Sequence, residues 1–136
     1  SHRWDDWNLR VVNTRHSVQN LGLRLEAGSP TKVFCYSGDG MFTPTASKLY
    51  TNADLLVHDA YTMDGTVKNF RKEVITIGTK THCSMQQLER LDDMARPKKM
   101  ALIHVNRTLR KDRNEILKKY KQRRWIMPEP GDVIEL

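Results

Sequence analysis

Short apolar bursts separated by polar turns run along this chain, and most of them have the length of strands. Residues 9–12 and 21–26 predict two strands joined by the polar stretch 13–20. Gly28 and Pro30 mark residues 27–31 as a turn. Lys32–Tyr36 (Lys-Val-Phe-Cys-Tyr) predicts a buried strand that ends abruptly in Ser37-Gly38-Asp39-Gly40. A short helix over residues 44–50 and a second buried strand over 53–57 follow. Residues 62–79 have no clear period and predict a long excursion or lid.

The clearest helix spans residues 84–95. Ser84 and Gln87 make a capping-box pattern, in which hydroxyl and amide satisfy orphan N–H groups. Met85, Leu88, Leu91, Met94 and Ala95 recur at helical spacing, and Pro97 stops the run. Met100–Ile103 predicts a strand ending at His104. A basic helix over 110–123, with Ile116, Leu117 and Tyr120 on its apolar side, leads to a short strand at 125–127. A turn at 128–131 and a closing strand at 132–136 end the chain. Strands alternating with helices place it in the α/β class. Its 136 residues suit one domain, and neither a repeat nor a low-complexity linker divides them.

Composition adds limits. Hydrophobic residues make up 38% and charged residues 29%, with a mean hydropathy of −0.65. No burst approaches the roughly 20 apolar residues of a membrane span, and residues 1–10 are too polar for a secretory leader. The expectation is therefore a soluble chain with no membrane partner. Two cysteines, Cys35 and Cys83, form neither a disulfide framework nor a metal-binding spacing, so the expected compartment is a reducing cytoplasm. Cys35 reads as core, whereas Cys83, between His82 and Ser84, stands close to candidate chemistry.

Net charge is +7 and the sequence pI about 9.6, a balance that fits a polyanionic partner through counterion release. Much of it lies in residues 107–124, where Arg107, Arg110, Lys111 and Arg113 are candidate nucleic-acid contacts. Taken alone, such a run more often marks the solvated face of a helix. Trp4, Trp7 and Trp125 are candidate stacking partners for bases, with core or interface packing the commoner use of such rings.

Several ionisable groups share one kind of position. Asp39 comes three residues after Tyr36, His58 and Asp59 follow residues 55–57, and His104 follows Met100–Ile103. His16 precedes the strand at 21–26, and His82 stands two residues before a helix. Strands running the same way bring their ends to one edge, where loops build sites. Singly, each group has a structural use, such as a hydrogen-bonded histidine or an aspartate that caps a turn. Together they form a nitrogen and oxygen set suited to zinc or manganese.

The order of the motifs resembles the metallo-β-lactamase superfamily, in the branch of ribonuclease Z and related phosphodiesterases. Residues 15–26 (Arg-His-Ser-Val-Gln-Asn-Leu-Gly-Leu-Arg-Leu-Glu) resemble the family's His, short loop and Leu-Gly-Tyr-Arg-Ile-Glu. Residues 33–40 look like its strand leading to Ser-Gly-Asp-Thr, and 53–62 resemble its Ala-Asp-Leu-Leu-Ile-His-Glu-Ala-Thr. Thr81-His82-Cys83-Ser84 matches its His-Ser-Thr motif, and Leu102-Ile103-His104 its closing Leu-Thr-His. Residues 130–136 look like its last strand. The likeness covers the chain from Val11 to its end.

This resemblance implies half of an αββα sandwich, a mixed sheet with flanking helices, and two divalent ions, zinc or else manganese. His16 and His104 would be ligands, Asp39 the bridging carboxylate, His82 the group acting at the scissile phosphate, and Asp59 its orienting partner. His58 would bond structurally beneath the site. Two departures stand out: Gly40 replaces a Thr, which should loosen the loop around Asp39, and Asp59 replaces a Glu with a shorter arm.

The family's His-x-His-x-Asp-His signature does not occur in these 136 residues. The chain is accordingly expected to be the C-terminal half of the fold, completed by an N-terminal half on the same or a separate polypeptide. The expected function is a metal-dependent phosphodiesterase or nuclease acting on RNA, DNA or a cyclic nucleotide. The alternative is a non-catalytic scaffold or nucleic-acid-binding subunit of the same fold. Expected partners are the complementing half and a nucleic acid or nucleotide, with a homo-oligomer left open.

Overall fold

The computed structural model describes residues 2–4, 6–68, 71, 73–76 and 81–136. Strands β1 (His2–Trp4), β2 (Trp7–Asn13), β3 (Leu21–Ala27) and β4 (Lys32–Tyr36) are followed by helix α1 (Pro44–Leu49) and β5 (Leu55–Asp59). A hairpin of β6 (Thr66–Lys68) and β7 (Val74–Thr76) precedes α2 (Met85–Ala95) and β8 (Met100–Ile103). Helices α3 (Arg107–Lys111) and α4 (Arg113–Lys119), a 3-10 turn at Lys121–Arg123 and β9 (Trp125–Ile126) complete the order.

Seven strands form one mixed sheet in the order β1-β2-β3-β4-β5-β8-β9. Pairing is antiparallel from β1 to β4 and parallel from β4 through β5 and β8 to β9. Parallel neighbours require crossovers, which α1, α2 and the α3–α4 segment supply. The register pairs Tyr36 with Val57 and Asp59 with Ile103, so the C-terminal ends of β4, β5 and β8 lie side by side. Because β3 is antiparallel to β4, with Leu23 opposite Tyr36, the loop joining β2 to β3 reaches the same edge.

Successive strand residues face opposite sides of the sheet. On one side Cys35, Leu56, Met100 and Leu102 are fully buried in a core with Ala46, Tyr50, Leu88 and Leu91. Helix α2 buries Met85, Leu88, Leu91 and Ala95, and its predicted capping box is present at Ser84 and Gln87. Met94 is 56% exposed instead of buried, because at about 100° per residue it lies roughly 60° beyond Leu91, off the buried stripe. Arg96 closes the helix in the left-handed conformation before Pro97 is reached.

The other side carries Leu9, Leu25 and Phe34 in one cross-strand row and Val11, Leu23 and Tyr36 in the next. None of these joins the core cluster, and Trp7, Leu9, Val11 and Leu21 are exposed. Trp125 is buried and stacks on Tyr120 at 4.4 Å, while the Trp4 side chain falls outside the described residues.

Four expectations need correction. The strand expected at 53–57 starts at Leu55, so His58 and Asp59 are its last two residues and not a loop beyond it. The excursion at 62–79 contains the β6–β7 hairpin, and its residues 69, 70, 72 and 77–79 lie outside the described set. The basic helix at 110–123 is broken at Asp112 and Tyr120, whose φ near −100° and positive ψ leave helical geometry. Residues 132–136 form no strand: β9 already covers the outer edge of β8, and Val133 stands 88% exposed with no strand beside it among the described residues.

Candidate functional site

The sheet edge gathers the predicted groups. Asp39 sits in the loop after β4, Asp59 ends β5, His104 directly follows β8, and His82 precedes the N-cap of α2. His16 lies in the β2–β3 loop, pinned by the reciprocal bonds of Arg15 and Met41 at 2.9 Å each. His104 has φ of 52°, a left-handed conformation costly for a residue with a Cβ and characteristic of functional sites.

A partly buried polar frame holds the Asp39 loop. The Asn20 side chain donates to Thr14 Oγ1 and to Ser37 O, and its Oδ1 accepts from Asp39 N at 3.3 Å. Gly38 has φ of +66°, and a Cβ on Gly40 would stand 2.8 Å from Arg15 O. Gly40 therefore does not loosen this loop; it allows a close approach that a threonine would obstruct. Ser37 ties the loop to the next strand, accepting from Asp59 N at 3.0 Å.

Asp59 Oδ2 accepts from His82 Nδ1 at 2.7 Å. That bond fixes the tautomer with hydrogen on Nδ1 and leaves Nε2 for chemistry. Asp59 is fully buried, and its Oδ1 has no hydrogen-bond partner among the described residues. Burial pushes its carboxyl up to about 7; His104 opposes the rise and the Asp39 charge adds to it. The shorter arm of Asp at this position still reaches the imidazole.

His104 Nδ1 lies 3.8 Å from both Asp39 Oδ1 and Asp59 Oδ2. The His82 ring meets those of His16 at 5.1 Å and His104 at 5.0 Å, each edge to face. Tyr61, which sequence reasoning did not single out, stacks on His82 at 4.7 Å and touches His104 at 5.3 Å. Asn20 and Ser37 are not singled out by the sequence either, although both fall within the quoted motifs; nothing in the linear spacing ties Asn20 to residue 39 or Ser37 to residue 59.

His58 is fully buried below this layer and donates from Nδ1 to Asp59 O at 2.9 Å, the structural use expected of it. Burial holds its pKa down to about 4, the Asp59 carbonyl opposing the shift. Cys83 turns inward, fully buried, with its thiol pushed up by burial.

The donor set can be tested against a divalent ion. Asp59, His82 and His104 each offer a ligand atom within 4.8 Å of the others. Two donors about 2.1 Å from one ion stand roughly 3.4 to 4.2 Å apart, so the 3.8 Å separation of His104 from Asp39 and from Asp59 fits. His16 fits less well, because its Nδ1 accepts from Val18 N at 3.3 Å. That contact has to give way before Nε2 can act as a neutral ligand.

Among the basic candidates, Arg107, Arg110 and Lys111 are exposed on α3, in the segment following His104. Arg113 is half-buried and committed to the chain, donating to Met127 O at 2.8 Å and facing Glu129 at 3.9 Å. Arg123 is likewise spent on Glu89, Asp92 and Asp93.

No protein-family model and no curated protein matches the sequence. Solved structures do. The chain is similar to the short form of human tRNase Z, with 18% identity and a TM-score of 0.70 over 98% of this chain and 45% of that one. It is similar to zinc-bound PqqB from Methylobacterium extorquens, with 19% identity and a TM-score of 0.69 over 96% of this chain and 50% of that one. It also matches the metallo-β-lactamase fold protein YhfI from Bacillus subtilis, with 19% identity and a TM-score of 0.59 over 79% and 42%. At these identities the likeness shows the fold: this chain carries a metallo-β-lactamase fold and spans about half the length of the structures it matches.

Proposed function

We propose that this chain is the C-terminal half of a metal-dependent phosphodiesterase that acts on a nucleic acid or nucleotide. The observation that carries the reading is the convergence of His16, Asp39, Asp59, His82 and His104 at one sheet edge. Asp39 and His104, joined by His16 once its Nδ1 contact breaks, would hold part of a binuclear site, with zinc the first choice and manganese the second. Divalent ions there would acidify water and stabilise charge on a phosphodiester. His82, kept in one tautomer by Asp59, would present Nε2 to the scissile phosphate as acid or oxyanion donor. The likeness to tRNase Z and the exposed Arg107, Arg110 and Lys111 favour a polyanionic substrate.

The remaining ligands would come from an N-terminal half, on the same or another polypeptide. The exposed apolar row of β2 and β3 supports this, being the kind of sheet face that a second sheet covers.

Elemental analysis and diester hydrolysis on the full protein, complementing half included, test the proposal. About two zinc or manganese ions per chain, with hydrolysis of a phosphodiester, is the expected result. Nucleic-acid affinity should also fall steeply with salt. Absence of metal in the complete assembly would leave a non-catalytic module instead.

A further inference from the structure

We propose that Tyr61 is a positioning residue that sets the ring planes of His82 and His104, an inference that rests on the hydrolase reading of this site. The Asp59–His82 bond fixes one atom of the His82 ring and leaves the ring free to swing about the bond axis. The Tyr61 ring blocks that swing on the flat face, lying 4.7 Å from His82 with the planes only 27° apart, whereas His16 and His104 meet the ring edge to face. The same ring meets His104 at 5.3 Å, so one aromatic wall lies against both imidazoles.

The main chain of Tyr61 is anchored independently. Its N–H donates to Cys83 O at 2.9 Å, in the loop that carries His82. Its carbonyl accepts from Asn106 N at 3.1 Å, just beyond His104. Tyr61 thus binds the end of β5 to both histidine loops through backbone bonds that do not use its side chain. In the resembled motif this position is Thr, so the aromatic wall belongs to this chain's own sequence.

The test uses the full protein and three substitutions. Tyr61→Phe keeps the ring without its hydroxyl, Tyr61→Leu keeps bulk without a flat face, and Tyr61→Thr removes both. One readout is the hydrogen-bonded Nδ1–H resonance of His82, observed by nitrogen-15 NMR with and without metal. The other is the division between kcat and KM on a diester substrate. Tyr61→Phe should preserve the resonance and stay within about twofold of the parent. Tyr61→Thr and Tyr61→Leu should broaden it and lower kcat roughly 10- to 100-fold with KM little changed, as expected for a misplaced reacting group. Retention of resonance and kcat by Tyr61→Leu, or their loss in Tyr61→Phe, overturns the proposal. Should the parent protein hydrolyse no diester, the functional reading fails, while the Nδ1–H resonance still decides the role of Tyr61.

Discussion

On the proposed hydrolase reading, Asp59 decides how the cluster would be divided between metal and catalysis. Its Oδ2 is bonded to His82 and lies 3.8 Å from His104, so it stands within reach of either role. Asp59→Asn separates them, because the amide keeps the shape but loses the charge that makes the carboxylate a strong acceptor and ligand. If Asp59 orients His82, kcat should fall by about 10²- to 10⁴-fold while metal content holds. A loss of metal in the same proportion as activity would make Asp59 a ligand instead. Metal analysis alongside steady-state kinetics reads both.

His58, one residue earlier, makes a prediction about stability. The folded protein holds it neutral down to about pH 4, whereas an unfolded histidine takes up its proton near 6.5. Between those values the unfolded state binds more protons than the folded state. Its contribution to stability is thus intact above about pH 6.5, declines as pH falls towards 4, and levels off below. The slope from this one group reaches at most about 1.4 kcal/mol per pH unit. Asp59 acts the other way over the same window, because its raised carboxyl makes the folded state bind the extra proton, so the difference between parent and variant isolates His58. In thermal melts of the full protein from pH 7.5 to 5, His58→Asn should shift the pH slope towards greater relative stability at low pH.

At the scale of elements, the sequence was legible where local rules and tertiary structure agree. The capping box at Ser84 and Gln87, the strand at Lys32–Tyr36 and the strand at Met100–Ile103 were all read correctly from pattern. The strand errors share a cause, which is that pairing partners are invisible in a linear pattern. β5 begins late because Asp54 uses its backbone and its carboxylate on Val33 before the ladder starts. Residues 132–136 have strand composition but no neighbouring strand, and composition cannot supply one. The site divides in the same way. Polar residues at strand ends announced Asp39, Asp59 and His104, because parallel strands must share an edge. Asn20, Ser37 and Tyr61 act through contacts between residues distant in sequence, and only the folded chain brings them together.

For the whole molecule, the decisive feature is the asymmetry of the sheet. One face is closed by helices around Leu56, Met100 and Leu102, while the opposite face leaves Trp7 at 55%, Val11 at 56% and Leu21 at 46% exposure. Apolar area contributes about 25 cal/mol per Å² when removed from water, so a row of this kind strongly favours being covered. β1 also lies at the sheet's outer edge, where unpaired backbone groups invite another strand. The 136-residue chain alone is therefore expected to self-associate and to melt without a sharp transition. If an N-terminal half completes the fold as proposed, the two together should be monodisperse and cooperative. Replacing Leu9 and Val11 with glutamate distinguishes a face that packs from one that is merely exposed. If the face is covered, the double variant should lose assembly and metal binding together, because two carboxylates would be buried without partners. An assembly that forms normally and retains its metal with both glutamates in place would show that the second half docks elsewhere. Size-exclusion chromatography with light scattering, followed by metal analysis of the eluted peak, gives both answers from one sample.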